Sequence, residues 1–467
     1  VTSTLQRSES PFAHLTEQER EKIGKELDAI HDEVFADLGE RDRHYIKAVI
    51  AAQRQIVVVG RVLLLASRSR TSWVLGTACL GMAKILENME IGHNVMHGQW
   101  DWMNDPDIHS SKWDWDTAST AESWKHSHNF IHHTYTNIRG KDKDLGYEIM
   151  RIDPNQTWHP RYLGQFFYNA LLTVLFEWGV AVHDMDIDAI RAREKPWSEV
   201  RKDLKGIGVK ARSQIIKDYI GWPLISAGAF TLVQLASGGR LEQPAKSRLG
   251  RRLRRISDKG RIGATATFFD KTLSGAESTY LRTLAADALA NVIRNVWAHA
   301  IIFCGHFPDQ TYTFSQEEVE DETRGEWYLR QLVGAANIDG SPLFHVISGN
   351  LGYQVEHHLY PDMPASRYSE IAPKIKDICE RYELPYNTGR FSKQWFMVHR
   401  TIFRLAFPGG KPRPKPGPYR GENRSDPETR SSEAAKYRER VPAEHPDAGP
   451  EHESSGVEVQ PPPRGKD

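Results

Sequence analysis

An all-α fold built on long apolar helices is what this sequence predicts, and three observations carry the prediction. Five apolar stretches, at 46–66, 73–91, 164–183, 219–238 and 284–305, each come near the roughly 20 residues a helix needs to cross a bilayer. The polar segments between them are rich in tryptophan. Trp100, Trp102, Trp113, Trp115 and Trp124 follow the second stretch, and an indole, apolar with one polar N–H, suits a membrane interface as well as ordinary packing. The histidines recur at helical spacing. Charges interrupt the stretches at Arg54, Arg61, Lys84, Glu87, Glu177 and Arg294, so hydropathy alone leaves membrane spans and buried core helices equally open.

Taken in order, the chain opens with a charged segment, 1–45, which reads as an N-terminal helical unit without a cleavable signal peptide. Thr16 and Glu19 have capping-box spacing before a helix to about Asp37, expected to be solvated and amphipathic. Residues 46–405 form the main domain. Within it a basic insertion, 240–275, carries nine Lys or Arg between Arg240 and Arg261. From Pro408 the chain is rich in Pro, Gly and charge, so 406–467 is expected to be a disordered tail. Sixty-one basic and 61 acidic residues leave no net charge, which argues against a nucleic-acid binder. The mean hydropathy of −0.56 argues against a chain mostly embedded in lipid while permitting a few spans. Three distant cysteines, Cys79, Cys304 and Cys379, make neither a disulfide framework nor a cysteine zinc site, and point to a reducing compartment.

Histidine is the outlier among the side chains, with 20 copies. His93 and His97 stand at i, i+4, on one helix face and able to share a metal; alone, such a pair arises easily by chance. His126, His128, His132 and His133 crowd eight residues. His128 and His132 are again i, i+4, with His133 about 100° away, which suits two metals, or one metal and a supporting contact. In the last apolar stretch Asn295, His299 and His306 fall within about 40° on an ideal helix, with Ile301, Ile302 and Phe303 expected elsewhere on its circumference. Polar groups in an apolar helix are costly and suggest a functional site, although a satisfied buried histidine accounts for either one singly. His357 and His358 are adjacent, with Gln354 one turn earlier. Nine or ten imidazoles with hardly an obligatory carboxylate suit two metal ions, and imidazole by itself admits zinc, copper, nickel or iron. A soluble di-iron bundle would show Glu and Glu-x-x-His instead.

At these residues the sequence resembles the membrane fatty acid desaturases, nearest the actinobacterial acyl-CoA Δ9 (stearoyl-CoA type) desaturases. The likeness rests on His-x3-His, His-x3-His-His and Gln-x2-His-His in that order, and covers roughly residues 40–405 apart from the basic insertion. It implies an integral membrane protein of about four transmembrane helices with a cytoplasmic helical cap holding a di-iron site. It further implies an oxidoreductase that uses O2 and two electrons to place a cis double bond in a fatty acyl-CoA or acyl lipid. Carried over by motif, His93, His97, His128, His132, His133, His357 and His358 would be iron ligands, with His299 and His306 supplying the rest. Asn295 would hold a water or support a ligand, His126 would back a ligand, and Gln354 stands where many relatives carry a box histidine. Tyr353 stands where close relatives often have histidine. Phe407-Pro-Gly-Gly lacks the histidine of a haem motif, so electrons would come from a separate ferredoxin or NAD(P)H-dependent reductase.

The boxes must meet on one side of the membrane. Reading 164–183 as interfacial leaves four spans and puts both termini on the cytoplasmic side, with residues 240–261 outside, against the positive-inside tendency. The alternatives are a related membrane di-iron hydroxylase or alkane monooxygenase, and a histidine-rich metal-binding or transport protein without catalysis.

Overall fold

The computed structural model describes residues 11–238 and 263–410. Helices dominate among them, with one two-stranded parallel sheet, β1 (Asn337–Asp339) on β2 (Thr388–Arg390). The heart of the basic insertion, 239–262, and the tail from 411 lie outside the described residues.

Helix α1 (Glu17–Ala36) begins with the expected capping box, Thr16 and Glu19 each receiving the other's backbone N–H. The expectation of a solvated helix is corrected. Ile23, Leu27, Ile30 and Val34 recur at i, i+4, i+7 and i+11, and that stripe is buried in the largest hydrophobic core with Tyr328, Leu332, Val355 and Leu359. Helix α1 therefore packs into the same core as the residues of the main domain.

A hairpin follows, α2 (Glu40–Leu65) and α3 (Arg70–Ile85), with α3 running on through a π-turn, Leu86–His93, to Met96. Next comes α4 (Ala121–Trp124), capped by Thr120 and continued through a second π-turn, Lys125–His132, into His133–Tyr135. The stretch read as interfacial is a broken pair, α5 (Gln165–Val174) and α6 (Phe176–His183), in a segment bent by 105°. After α7 (Ile187–Ala192), α8 (Trp197–Gln214) leads through a π-turn, Ile215–Gly221, into α9 (Trp222–Ala236). The longest helix, α10 (Gly263–His306), takes in residues 263–275 that the sequence assigned to the insertion.

Three helical segments are long and apolar enough to cross a membrane: Glu40–Leu65, Trp197–Ala236 and Phe269–His306; a fourth counts if the bent pair is one span. The expected span at 73–91 is not among them, because its helix changes register at Leu86 and carries Lys84, Glu87 and Glu90. The apolar windows of the first two segments are 22% and 28% buried and that of the third 61%, which makes α10 the central helix and leaves α2 and α9 facing outward.

The charges that broke the hydropathy pattern are mostly paired inside. Arg61 of α2 reaches Asp287 of α10 at 2.5 Å and Asp218 at 3.4 Å. Lys84 of α3 meets Asp218 at 2.8 Å and Asp116 at 3.2 Å, and Lys217 also pairs with Asp116. Three cations thus face three carboxylates where four helices meet. Beside them Arg294 bonds Glu177 at 2.5 Å.

The second layer packs on the ends of these helices: α11 (Arg324–Gly334), α12 (Pro342–Ile347), α13 (Gln354–Leu359), α14 (Tyr368–Arg381) and α15 (Phe391–Leu405). Arg367 ties it to the start of α2 through Asp42, at 2.6 and 2.7 Å.

Candidate metal centre

Eight of the histidines converge where the helix ends meet the second layer. His93, His97, His128 and His357 bring ligand atoms within 4.8 Å of one another, and so do His132, His306 and His358. His133 lies between the groups, its ring 4.8 Å from His97 and 4.7 Å from His358. His128 and His132, one turn apart in sequence, fall in different all-histidine groups, and the two also meet Asp144 in a third group at the same spacing. Both box helices reach the site through π-turns, which are frequent at functional sites.

Fixed acceptors decide which nitrogen of each ring faces inward, a tautomer assigned from the partners. His132 Nδ1 lies 3.1 Å from the Asp142 carboxylate, which also receives the backbone N–H groups of Asn137 and Asp144. His128 Nδ1 lies 3.4 Å from Asp144. His357 Nδ1 donates to Tyr368, whose hydroxyl is already committed to the Tyr360 carbonyl. His358 Nδ1 donates to Gln331 Oε1, and Gln331 is held by its amide bond to the His133 carbonyl. His93 Nδ1 donates to Asn94, whose own amide is anchored on the Glu90 and Gly349 carbonyls. Five rings therefore turn Nε2 inward, and those of His128, His132 and His357 are buried without a partner, as are His97 Nε2, His306 Nδ1 and both nitrogens of His133. Burial, then the neighbouring imidazoles, hold His133, His357 and His358 well below the usual histidine range. Burial also depresses His132, but the charges of Asp142 and Asp144 outweigh it and raise the group. Neutral rings with unused lone pairs are a metal-ligand set.

The remaining expected residues divide. Gln354 lies against the second group, Nε2 3.1 Å from His306 Nε2 and Oε1 unpartnered. Gly305 permits this, since a Cβ there would stand 2.8 Å from Gln354 Cγ. His299 is left out: Nε2 meets Asn169 Oδ1 at 3.0 Å and the ring stacks on Phe303 at 3.8 Å. It shares a face with His306 but sits seven residues away, about 10 Å along the axis, too far to share the site. His126 is exposed and stacks on Phe130, so it backs no ligand. Asn295 donates to the Val174 carbonyl, freed by the break after α5, and accepts from Arg294. Ile302, expected elsewhere on its helix, shares the cavity wall with Asn295 and His306; at 100° per residue it lies about 20° from Asn295.

That cavity, about 70 Å³, runs beside both groups and is walled by apolar side chains including Met89, Trp115, Phe176, Val180 and Phe307. The slot is mostly apolar in surface, with histidines and the carboxylates Asp142, Asp144, Glu177 and Asp184 also in its lining, and it has room for a short stretch of hydrocarbon. The partners Asp142, Asp144, Tyr368 and Gln331 escaped the sequence reading. The one available signal was Lys-Asp-Lys-Asp ten residues past a box, which looks like a solvated turn.

The fatty acid desaturase family model matches residues 71–241 and 239–390. The chain is 42% identical over 421 residues to the NADPH-dependent stearoyl-CoA 9-desaturase of Mycobacterium tuberculosis (strain ATCC 25618 / H37Rv), covering 90% of this chain and 86% of that protein. It is 22% identical over 348 residues to the sn-1 linoleoyl-lipid 6-desaturase of Arthrospira platensis, 71% and 74% of the two chains. Fatty acid desaturase 3 of Homo sapiens is 32% identical over 100 residues, 21% of each. No solved structure matches the chain.

Proposed function

The chain belongs to the fatty acid desaturase family, and from that premise we propose that it is an O2-dependent di-iron desaturase placing a cis double bond, at Δ9, in a saturated long-chain acyl-CoA. The observation that carries the reading is the convergence of eight histidine rings, six of them with orphaned nitrogens, beside a largely apolar slot. The substrate class follows the 42% identical relative, whose name specifies stearoyl-CoA and NADPH. Its extent over 90% of the chain favours acyl-CoA over acyl-lipid.

His93, His97, His128 and His357 would hold one iron, and His132, His306 and His358 the other, with His133 between them and Gln354 completing the second set. When bound, the pair would supply, with O2 and two electrons, the oxidising power to take two hydrogens from methylenes that offer neither an acidic proton nor a leaving group. The chain's residues do the rest. Asp142, Asp144, Tyr368, Gln331 and Asn94 fix the ligand tautomers. Met89, Trp115, Phe176 and Phe307 exclude water and align the hydrocarbon. Ile302, on the wall between Asn295 and His306, helps set which carbons lie opposite the metals. Electrons come from a separate NADPH-dependent reductase or ferredoxin. The site and both termini face the cytoplasm, where acyl-CoA is found.

Expression in a desaturase-deficient host followed by fatty-acid analysis tests the reading, with Δ9-unsaturated acids expected. Hydroxylated acids in their place would move the chain to the monooxygenases. Purified protein with one zinc and no iron would remove the di-iron centre.

A further inference from the structure

Helix α15 has two unlike faces. Gln394, Val398, Thr401, Ile402 and Leu405 are buried, with Val398 and Ile402 in one core with Ile301 and Phe303 of α10 and with Phe307 just past its end. The opposite side carries Phe396 and Phe403, 64% and 55% exposed, and Phe407 just past the helix end at 46%. At 100° per residue these three fall within about 40°, with exposed Lys393 and Arg404 about 60° and 80° from Phe396. Three phenylalanines in one stripe beside cationic residues are costly against water, and the pattern is that of a helix lying in a membrane interface.

Position supports one occupant. The Trp395 ring is 6.0 Å from His299 and the Phe391 ring 6.0 Å from Trp297, so α15 runs beside the last turns of α10, where that helix leaves the apolar layer. It also packs on α5, whose exposed Leu163, Phe166, Phe167 and Leu171 neighbourhood extends the apolar surface. The sequence continues the charge: residues 411–420 hold Lys411, Arg413, Lys415 and Arg420 and no acid. Lys393 and Arg404 beside the phenylalanine face complement anionic headgroups.

We propose that the Phe396–Phe403–Phe407 face of α15 is an interfacial anchor, seated in the headgroup layer of the bilayer crossed by α10 and held there by anionic lipid. It rests on the membrane reading of α2, α9 and α10. The test is built on the full chain with Cys79→Ser, since Cys304 and Cys379 are buried. A fluorophore is placed on Phe403→Cys, on Leu232→Cys of α9 and on Lys376→Cys of α14, each in bilayers of phosphatidylcholine alone or with phosphatidylglycerol. The Phe403 label is expected to shift to the blue and to lose emission to a quencher carried near the headgroup. The Leu232 label should respond to one deep in the acyl chains, and the Lys376 label to neither. Phosphatidylglycerol should deepen the Phe403 quenching, and Lys393→Glu with Arg404→Glu should abolish that increment.

A Phe403 label no more quenched than Lys376 while Leu232 responds overturns the anchor alone. A silent Leu232 label overturns the membrane reading beneath it. Protection of Phe403 only on addition of the reductase assigns the face to a protein and likewise overturns the proposal. An unchanged response to phosphatidylglycerol overturns the role of anionic lipid.

Discussion

Two buried polar clusters sit within this helical body, and they are opposites. Around Asp218, three cations meet three carboxylates and every charge has a counterpart. Around His133, eight like rings face one another, and six of them leave ring nitrogens without a partner. In sequence the two look alike, as polar residues interrupting apolar helices. What separates them is satisfaction. A balanced ionic cluster is complete as folded and fixes which helices pack together, whereas converging acceptors with no donor are complete only when something cationic arrives.

Substitutions should therefore separate the clusters along two axes, metal and stability. The largest effect is expected for His133→Ala or His357→Ala: turnover lost and iron content reduced, with membrane insertion and apoprotein unfolding essentially unchanged, read by metal analysis alongside thermal denaturation. Asp218→Ala should do the reverse. It leaves Arg61, Lys84 and Lys217 against only Asp116 and Asp287, costing about 3–5 kcal/mol, while the protein that remains folded keeps its iron. If Asp218→Ala loses iron without losing stability, the division between the clusters is wrong.

Asp142→Asn stands between the two. The ligand His132 remains, but its orienting carboxylate is gone, and iron affinity should fall roughly 10–100-fold in chelator competition. His299→Ala tests the residue that left the site. It should keep normal iron and lose about 1–3 kcal/mol, because Asn169 is left without its partner; depleted iron would return His299 to the ligand set. Smallest is Ile302→Val, at about 0.5–1.5 kcal/mol, with iron intact and a changed chain-length or positional distribution of products as its signature.

How far the sequence could see follows the same division. The boxes at His93, His128 and His357 were legible because local spacing encodes local geometry, and the capping box at Thr16 for the same reason. His299 and His306 were not separable, since a helical wheel records angle and discards the rise of about 1.5 Å per residue. The misplacement of Ile302 was a misread angle. The burial of α1 was hidden because its partners, Tyr328 and Val355, lie some 300 residues away. Asp142 and Asp144 were invisible as ligand supports because their partners depend on how a loop folds back under the second box. The paired charges Arg61, Lys84, Asp218 and Asp287 made the spans look poor, since hydropathy counts each charge singly.

The π-turns have a further consequence. Two of the three among the described residues amount to one residue added to an α-helix that carries a box, and these end at a box histidine, His93 or His132. Deleting a single residue between 87 and 92 would restore regular winding and rotate everything beyond by about 100°, turning His93 and His97 away together. The upstream hairpin, its lipid-facing side and its ion pairs would be untouched. Chemistry and architecture are thus separable by one codon in this fold. A single such event would turn away two of the proposed ligands while keeping the helical scaffold, and only an insertion at the same place would restore them.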